Sequence, residues 1–280
     1  MTIDTNKAAQ APQSAEDFYE RELPAEVLAY FREQRPPRAV VDFIVDNVNE
    51  LLAEEARQAQ FVSDVSHEIR TPLTAIRGTA ETLLEGGVPE ELEKRFLTQI
   101  VNECDRLTRL ANDLLALQRA EGQDMELDRL NLREIADNCA LLMGELLDER
   151  GCELEICGEA PDVNGNADAI NQILVNLIEN ASRYASRRVQ VRLTTSDGYS
   201  VMAVADDGPG FGDEDPAHLF DRFYRADQSR VRHKGSGNSG LGLAIVKALT
   251  NAMGGSVQAA NLPQGGACFI VAIPSLAPEE

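Results

Sequence analysis

Residues 61–78 read FVSDVSHEIRTPLTAIRG, and their spacing sets the architecture of the first part of the chain. Val62, Ile69, Ile76 and Leu83 recur every seven residues, and Leu73 and Ala80 supply a second apolar line. That repeat predicts a long bundle or coiled-coil helix over about 39–84. The same stretch holds His67, one of only three histidines, with Glu68 next to it and Pro72 five residues on. His67 lies one position past the seam residue Ser66, so it flanks the seam where it can meet solvent. Pro72 lacks an N–H, leaves the carbonyl of Glu68 without its helical donor and bends the helix beside His67. That bend is expected to act as a hinge controlling access.

Gly86-Gly87-Val88-Pro89 ends this helix, since glycine suits the C-cap and proline opens the next helix. That second helix is expected over 90–121, with Ile100, Leu107 and Leu114 in line and Leu97, Cys104 and Ala111 in support. Two long helices joined by a short turn lie antiparallel. One such hairpin cannot bury a continuous apolar stripe alone, so a four-helix bundle made by two chains is expected: a homodimer.

The flanks differ. Residues 1–15 are polar and rich in Ala and Gln, a composition that favours disorder. Residues 18–34 have the pattern of a short helix, which Arg35-Pro36-Pro37 breaks. Beyond the polar break at 121–124 the apolar period changes. Helix patterns at 132–149 and 167–185 alternate with strand patterns at 154–157, 189–195, 200–205 and 268–273. Ser196-Asp197-Gly198 reads as a hairpin turn between two strands. The domain plan is therefore 1–40, an extension; 41–121, a helical hairpin; and 122–280, a mixed α/β layer domain.

At 280 residues there is room for two compact domains. A formal net charge of -21 argues against nucleic-acid binding, which needs Lys and Arg, and against docking on an anionic membrane. Five cysteines (Cys104, Cys139, Cys152, Cys157 and Cys268) are scattered without a CxxC pair, as expected of reduced thiols in a cytosolic protein. No apolar run approaches the roughly 18 residues that span a bilayer. A soluble, cytoplasmic chain with no membrane span is expected.

Chemistry concentrates in the second domain. Asn176, Asn180, Arg183 and Tyr184 share one face of a helix whose other face is apolar. Two amide oxygens one turn apart suit a hydrated Mg²⁺, which prefers oxygen ligands. Arg183 can meet a phosphate and Tyr184 can stack on a flat ring. Asp206-Asp207-Gly208-Pro209-Gly210 follows a strand. A carboxylate there can accept a hydrogen bond from an exocyclic amine, which adenine has and guanine lacks at that place, so Asp206 would select ATP over GTP. Residues 234–246, KGSGNSGLGLAIV, join a glycine-rich loop to an apolar helix, whose first N–H groups suit a phosphate. No GK[ST] ends the loop and no strand leads directly into it, so it is neither a P-loop nor a Rossmann fingerprint.

Taken together and in order, these segments resemble the sensor histidine kinases of two-component systems over about 41–274. Residues 61–78 resemble their H box, 176–184 the N box, 206–210 the G1 box, 219–225 the F box and 237–242 the G2 box. Gly265-Gly266 resembles the last glycine motif. One departure is modest: Asn166 and Ala169 stand where the family usually carries Asp and Arg. The resemblance implies an α+β, two-domain protein, a dimeric four-helix bundle followed by an α/β sandwich ATP-binding domain of the histidine kinase, gyrase and chaperone type. It implies ATP and Mg²⁺ as ligands. Asn176, Asn180, Arg183, Tyr184, Asp206, Gly208, Gly210, Phe220, Arg225, Gly237, Gly240, Leu241 and Gly242 would form the nucleotide site, with Asn176 and Asn180 on the metal.

In that reading His67 takes the γ-phosphoryl group of ATP, with Glu68 supporting or deprotonating the ring. Arg183, Arg225 and Lys234 neutralise charge. The phosphoryl group then passes to an aspartate on the receiver domain of a response regulator. Thr71 would orient a water for dephosphorylating the regulator, which makes a bifunctional enzyme. His218 and His233 are expected to be surface residues. Two other readings compete: an ATPase of the gyrase and chaperone class, and a non-catalytic dimeric scaffold. The ATPases use a Glu four residues before the metal-binding Asn. Here that position is Asn176, and Glu179 is turned about 100° away on the helix. A scaffold would show a broken motif, and none is broken.

Overall fold

The computed structural model describes residues 38–122, 125–212, 216–224 and 239–276. The expected helix at 18–34, the polar segment at 1–15 and the break at 35–37 lie outside the described residues. So do Arg225, His233, Lys234 and Gly237.

The chain divides into two compact units, Met1–Arg70 and Thr71–Glu280, and the division falls inside the first helix. That helix, α1, spans Arg38–Glu85 and contains Pro72, and α2 spans Glu90–Glu121. Both match the heptad reading to within a residue. α1 continues through Pro72, which is itself buried. In the first unit Val62 of the seam is 60% exposed. In the second, Leu73, Leu97 and Val101 are exposed, while Ile76, Ile100 and Leu107 are half-buried. α2 follows an N-cap at Pro89 and carries Glu90, Glu91 and Glu93 in its first turn, where negative charge favours the helix dipole.

The rest of the second unit is an α/β sandwich. Its elements are β1 (Asp128–Leu130), α3 (Leu132–Arg150), β2 (Glu153–Gly158), β3 (Val163–Gly165), α4 (Ala167–Tyr184), β4 (Arg188–Ser196), β5 (Tyr199–Asp206), a 3-10 turn at Pro216–Phe220, α5 (Gly242–Ala252), β6 (Ser256–Asn261) and β7 (Ala267–Pro274). Five strands form one sheet in the order β2-β4-β5-β7-β6, with β2 parallel to β4 and the other pairs antiparallel. β1 and β3 form a separate antiparallel pair. Alternate residues of β4, β5 and β7 (Val189, Val191, Met202, Val204, Phe269, Val271) are buried, so helices α3, α4 and α5 cover one face.

Local signals fix the ends of these elements. Asn131 caps α3 by accepting the N–H groups of Arg133 and Glu134 at 2.9 and 3.1 Å, and Gly151 closes it at φ 66°. Asn166, which departs from the family pattern, caps α4 by accepting Ala169 N–H at 3.0 Å and donates to the carbonyl of Glu126 at 3.1 Å. Its role here is structural. Asp197 and Gly198 take φ 50° and 81°, the left-handed pair a two-residue hairpin needs.

Among the described residues no helix is long and apolar enough to cross a membrane. The five cysteines are free, and burial pushes the Cys139 thiol up to about 11, far from a reactive thiolate. His218 is exposed, with Nδ1 2.8 Å from Asp221 Oδ2, as expected of a surface histidine.

Candidate functional site

α4 is built by its apolar face. Ile170, Ile173, Leu174, Leu177, Ile178 and Ala181 are buried, which turns Asn176, Asn180 and Arg183 to the other side as half-buried residues and leaves Tyr184 exposed. The Nδ2 of Asn176 is buried and has no hydrogen-bond partner among the described residues. A Cβ added to Gly242 would lie 3.2 Å from Asn176 Oδ1, so the first residue of α5 packs against this amide and leaves no room for a larger side chain that does not move it. The asparagine face and the glycine-rich loop, more than 60 residues apart in sequence, thus meet. Burial lowers the Arg183 pKa; Tyr184 opposes the shift, Arg150 adds to it, Glu179 opposes it and Arg109 adds to it.

Asp206 ends β5 and is 5% exposed. Its Oδ1 accepts the N–H of Gly208 at 2.8 Å and that of Ala267 at 3.3 Å. Burial raises its pKa, the two N–H groups pull it down, and Asp207 adds to the rise. A carboxylate offers about four acceptor positions, so backbone anchoring leaves acceptor capacity for a ligand. The surrounding glycines are needed for close approach. A Cβ on Gly208 would lie 2.2 Å from the Tyr184 carbonyl oxygen, and one on Gly210 would lie 2.5 Å from Asn261 Oδ1. Asn261 holds the following residue with a pair of bonds, accepting Phe211 N–H at 2.9 Å and donating to its carbonyl at 2.7 Å.

Asp207 faces the other way and fastens the loop after α4. Its Oδ1 accepts the N–H groups of Ser186, Arg187 and Arg188 at 2.8, 3.0 and 3.0 Å. Burial would raise its pKa, but the N–H groups of Arg187, Arg188 and Ser186 outweigh that and hold the carboxyl below its ordinary value.

Phe220 is buried with its ring edge-on to Phe269, centroids 6.2 Å apart, so it anchors its segment to the sheet. Phe223, at φ 61°, donates its N–H to the Gly240 carbonyl at 2.9 Å. A Cβ on Gly240, itself at φ 74°, would lie 2.9 Å from Phe223 Cα. Phe223 and Gly240 are therefore held together by a backbone contact that only glycine permits. Leu241, fully buried, is the N-cap of α5 and makes no side-chain cap hydrogen bond. Its N–H meets Ser239 Oγ at 3.2 Å, and Ser239 Oγ–H donates to Asp113 Oδ2 on α2 at 3.0 Å.

On α1, His67 is exposed and Glu68 half-buried within the first unit; Thr71, exposed, belongs to the second. The structure thus brings together Asn176 with Gly242, Asp206 with Gly208, and Gly240 with the end of the 219–224 segment. Asp113, Ser239 and Asn261 were not among the sequence-derived site residues. Asp113 looked like any solvated acid on a helix, and Asn261 closes a strand with no clear alternation.

Mg²⁺ fits the donors at this place. Among the described residues no group of three or more His, Cys, Asp or Glu could cage a metal. The available donors are the neutral amides of Asn176 and Asn180, which suit an ion that keeps waters and shares ligands with phosphates.

Residues 57–123 match the family described as "His Kinase A (phospho-acceptor) domain", and residues 165–277 match "Histidine kinase-, DNA gyrase B-, and HSP90-like ATPase". The chain is 35% identical to the sensor histidine kinase MtrB of Mycobacterium tuberculosis over 223 residues, covering 78% of this chain and 39% of that one. It therefore spans well under half the length of that relative. ShkA, solved full-length in complex with AMPPNP, superposes with a TM-score of 0.57 at 28% identity, covering 78% of this chain and 47% of that one. The histidine kinase ThkA, solved in complex with the response regulator protein TrrA, shares the fold with a TM-score of 0.64 at 22% identity, over 80% of this chain and 64% of that one. With a phosphoacceptor segment and an ATPase domain in one polypeptide, the chain belongs to the sensor histidine kinases of two-component systems.

Proposed function

We propose that this chain is an ATP-dependent protein histidine kinase that phosphorylates itself on His67. The observation that carries the reading is the buried Asp206 carboxylate, held at a strand end by Gly208 and Ala267, with an asparagine at position 176 in place of a hydrolytic glutamate. Asp206 accepts the adenine amine, and Tyr184 lies against the base. The α5 N-terminus at Gly240, Leu241 and Gly242 receives phosphate oxygens through backbone N–H groups. Gly208 and Gly210 let the nucleotide approach the backbone, while Arg183 and Arg225 offset phosphate charge. Phe220 anchors its segment, and Gly237 belongs to the phosphate loop. Asn176 and Asn180 would hold Mg²⁺, which supplies charge neutralisation on the phosphates when bound.

The reaction is a displacement at the γ-phosphorus. The lone pair of one His67 ring nitrogen forms the N–P bond as the bond to the β,γ-bridging oxygen breaks, and ADP leaves with that electron pair. Glu68 takes the proton from the other ring nitrogen. With Asn176 at the position of the hydrolytic glutamate, direct hydrolysis is disfavoured. The phosphoryl group then moves to an aspartate in the receiver domain of a response regulator, and Thr71 positions a water for the reverse control, dephosphorylation of that regulator.

The seam residues Leu73 and Leu97, exposed in the second unit, support a homodimer through a four-helix bundle. The domain limits proposed are 1–40, 41–121 and 122–280. The reaction is set in the cytoplasm, where ATP is present. The test is incubation with γ-labelled ATP and Mg²⁺. Acid-labile, base-stable label on the wild type and none on His67→Gln is expected; no label on the wild type, or equal label on both, defeats it.

A further inference from the structure

The C-terminal half of α2 does not present all its apolar residues to the hairpin seam. Leu110 and Leu117, off the Ile100–Leu107–Leu114 line, are 4% and 2% exposed, and this part of α2 packs on α5 of the ATP-binding domain. Asp113 lies between them on the same flank. It is half-buried, and its carboxylate receives the Ser239 hydroxyl at 3.0 Å. The same Ser239 oxygen accepts the Leu241 N–H at 3.2 Å. A relay therefore runs from the phosphoacceptor hairpin to the N-cap amide of the helix read as phosphate-binding. Burial raises the Asp113 pKa, Ser239 lowers it, Glu179 raises it and Arg109 lowers it.

We propose that Asp113 and Ser239 form an interdomain latch that restrains nucleotide binding. This rests on the ATP reading of the site. While the latch is closed, the Leu241 amide is already satisfied by Ser239. A carboxylate also stands one hydrogen bond away from that hydroxyl, where a polyphosphate would have to settle. Phosphate oxygens displace the Ser239 hydroxyl from Leu241, and the Asp113 bond goes with it. Nucleotide binding and release of α2 from α5 are then one coupled equilibrium, and the coupling is reciprocal.

The experiment uses the full chain and measures the Kd of AMPPNP with Mg²⁺ by calorimetry for wild type, Asp113→Ala, Ser239→Ala and the double variant. Far-UV circular dichroism and Tm confirm folding of each. Hydrogen exchange of residues 110–117 is followed with and without nucleotide. Each single variant is expected to bind at least about 5-fold tighter, the low end of ordinary coupling, and the double variant no tighter than the better single one. AMPPNP is expected to raise exchange at 110–117 in the wild type and to leave it unchanged in Ser239→Ala. Unchanged or weaker binding in both single variants, or additive gains in the double, overturns the latch. A folded Asp113→Asn that binds like wild type shows the carboxylate charge has no part and overturns it as well. If the wild type binds no AMPPNP while correctly folded, the ATP reading itself fails; if it binds and only the variants misbehave, the latch alone fails.

Discussion

A Cβ placed on Gly266 would lie 1.9 Å from the carbonyl oxygen of Asp206, and the next residue, Ala267, donates its N–H to the Asp206 carboxylate at 3.3 Å. The strand pair β5 and β7 thus closes on the aspartate proposed to read the base, and Gly266 at φ 97° is the residue that lets it close. Gly266→Ala is expected to cost about 1–3 kcal/mol through strain at that φ and displacement of Asp206. Differential scanning calorimetry should show Tm falling by about 2–4 °C per kcal/mol. Nucleotide affinity should fall with it.

Asp206→Asn keeps an oxygen for the Gly208 N–H but removes the charge proposed to receive the adenine amine. Hydrogen bonds to a charged group contribute about 1.5–3 kcal/mol, so ATP affinity should drop roughly 10- to 150-fold. GTP affinity should hardly change, since guanine has no amine there. Titration of both nucleotides with the wild type and the variant measures the two effects separately.

Leu117 and Leu73 predict opposite kinds of loss. Leu117 is 2% exposed inside one chain, and Leu117→Ala should destabilise by about 2–5 kcal/mol at any protein concentration. Leu73 is 50% exposed and lies on the seam. Leu73→Glu should leave the monomer's fold intact and shift the proposed dimer toward monomer, which sedimentation equilibrium across a concentration series would detect.

Much of this was legible in the residues. Heptad spacing delivered α1 and α2 because a bundle helix writes its burial as period. β4, β5 and β7 were visible because one face of the sheet is buried and the other is not. β1 and β3 were not, because three residues are too short to show alternation, and β6 (SVQAAN) mixes small and polar residues at an exposed edge. Asp206 and the glycines stand out in the sequence by residue type and order. Asp113 was missed because a carboxylate on a helix flank looks solvated until the α5 packing that buries it is known. Leu110 and Leu117 were missed because their partner lies in another domain, so no local period marks them.

The acid limb of stability should carry a signature of Asp207. Its folded pKa lies below the ordinary 3.8 because Arg187, Arg188 and Ser186 donate to the charged form. The unfolded chain therefore binds the proton first. The stabilisation is complete above the unfolded value and is lost as pH falls through the folded one. Asp207→Asn should lose stability at neutral pH, and the gap from wild type should narrow below about pH 4. Urea unfolding at several pH values between about 3 and 7 would show this; a constant gap across the range would rule it out.

The central claim is that the γ-phosphoryl group goes to one imidazole rather than to water. Mass spectrometry of peptides kept at alkaline pH after incubation with ATP and Mg²⁺ addresses it most directly. A single phosphoryl group is predicted on the peptide bearing His67, formed with one ADP per modification and absent without Mg²⁺. Phosphate release with His67 unmodified, or modification at another residue, would contradict it.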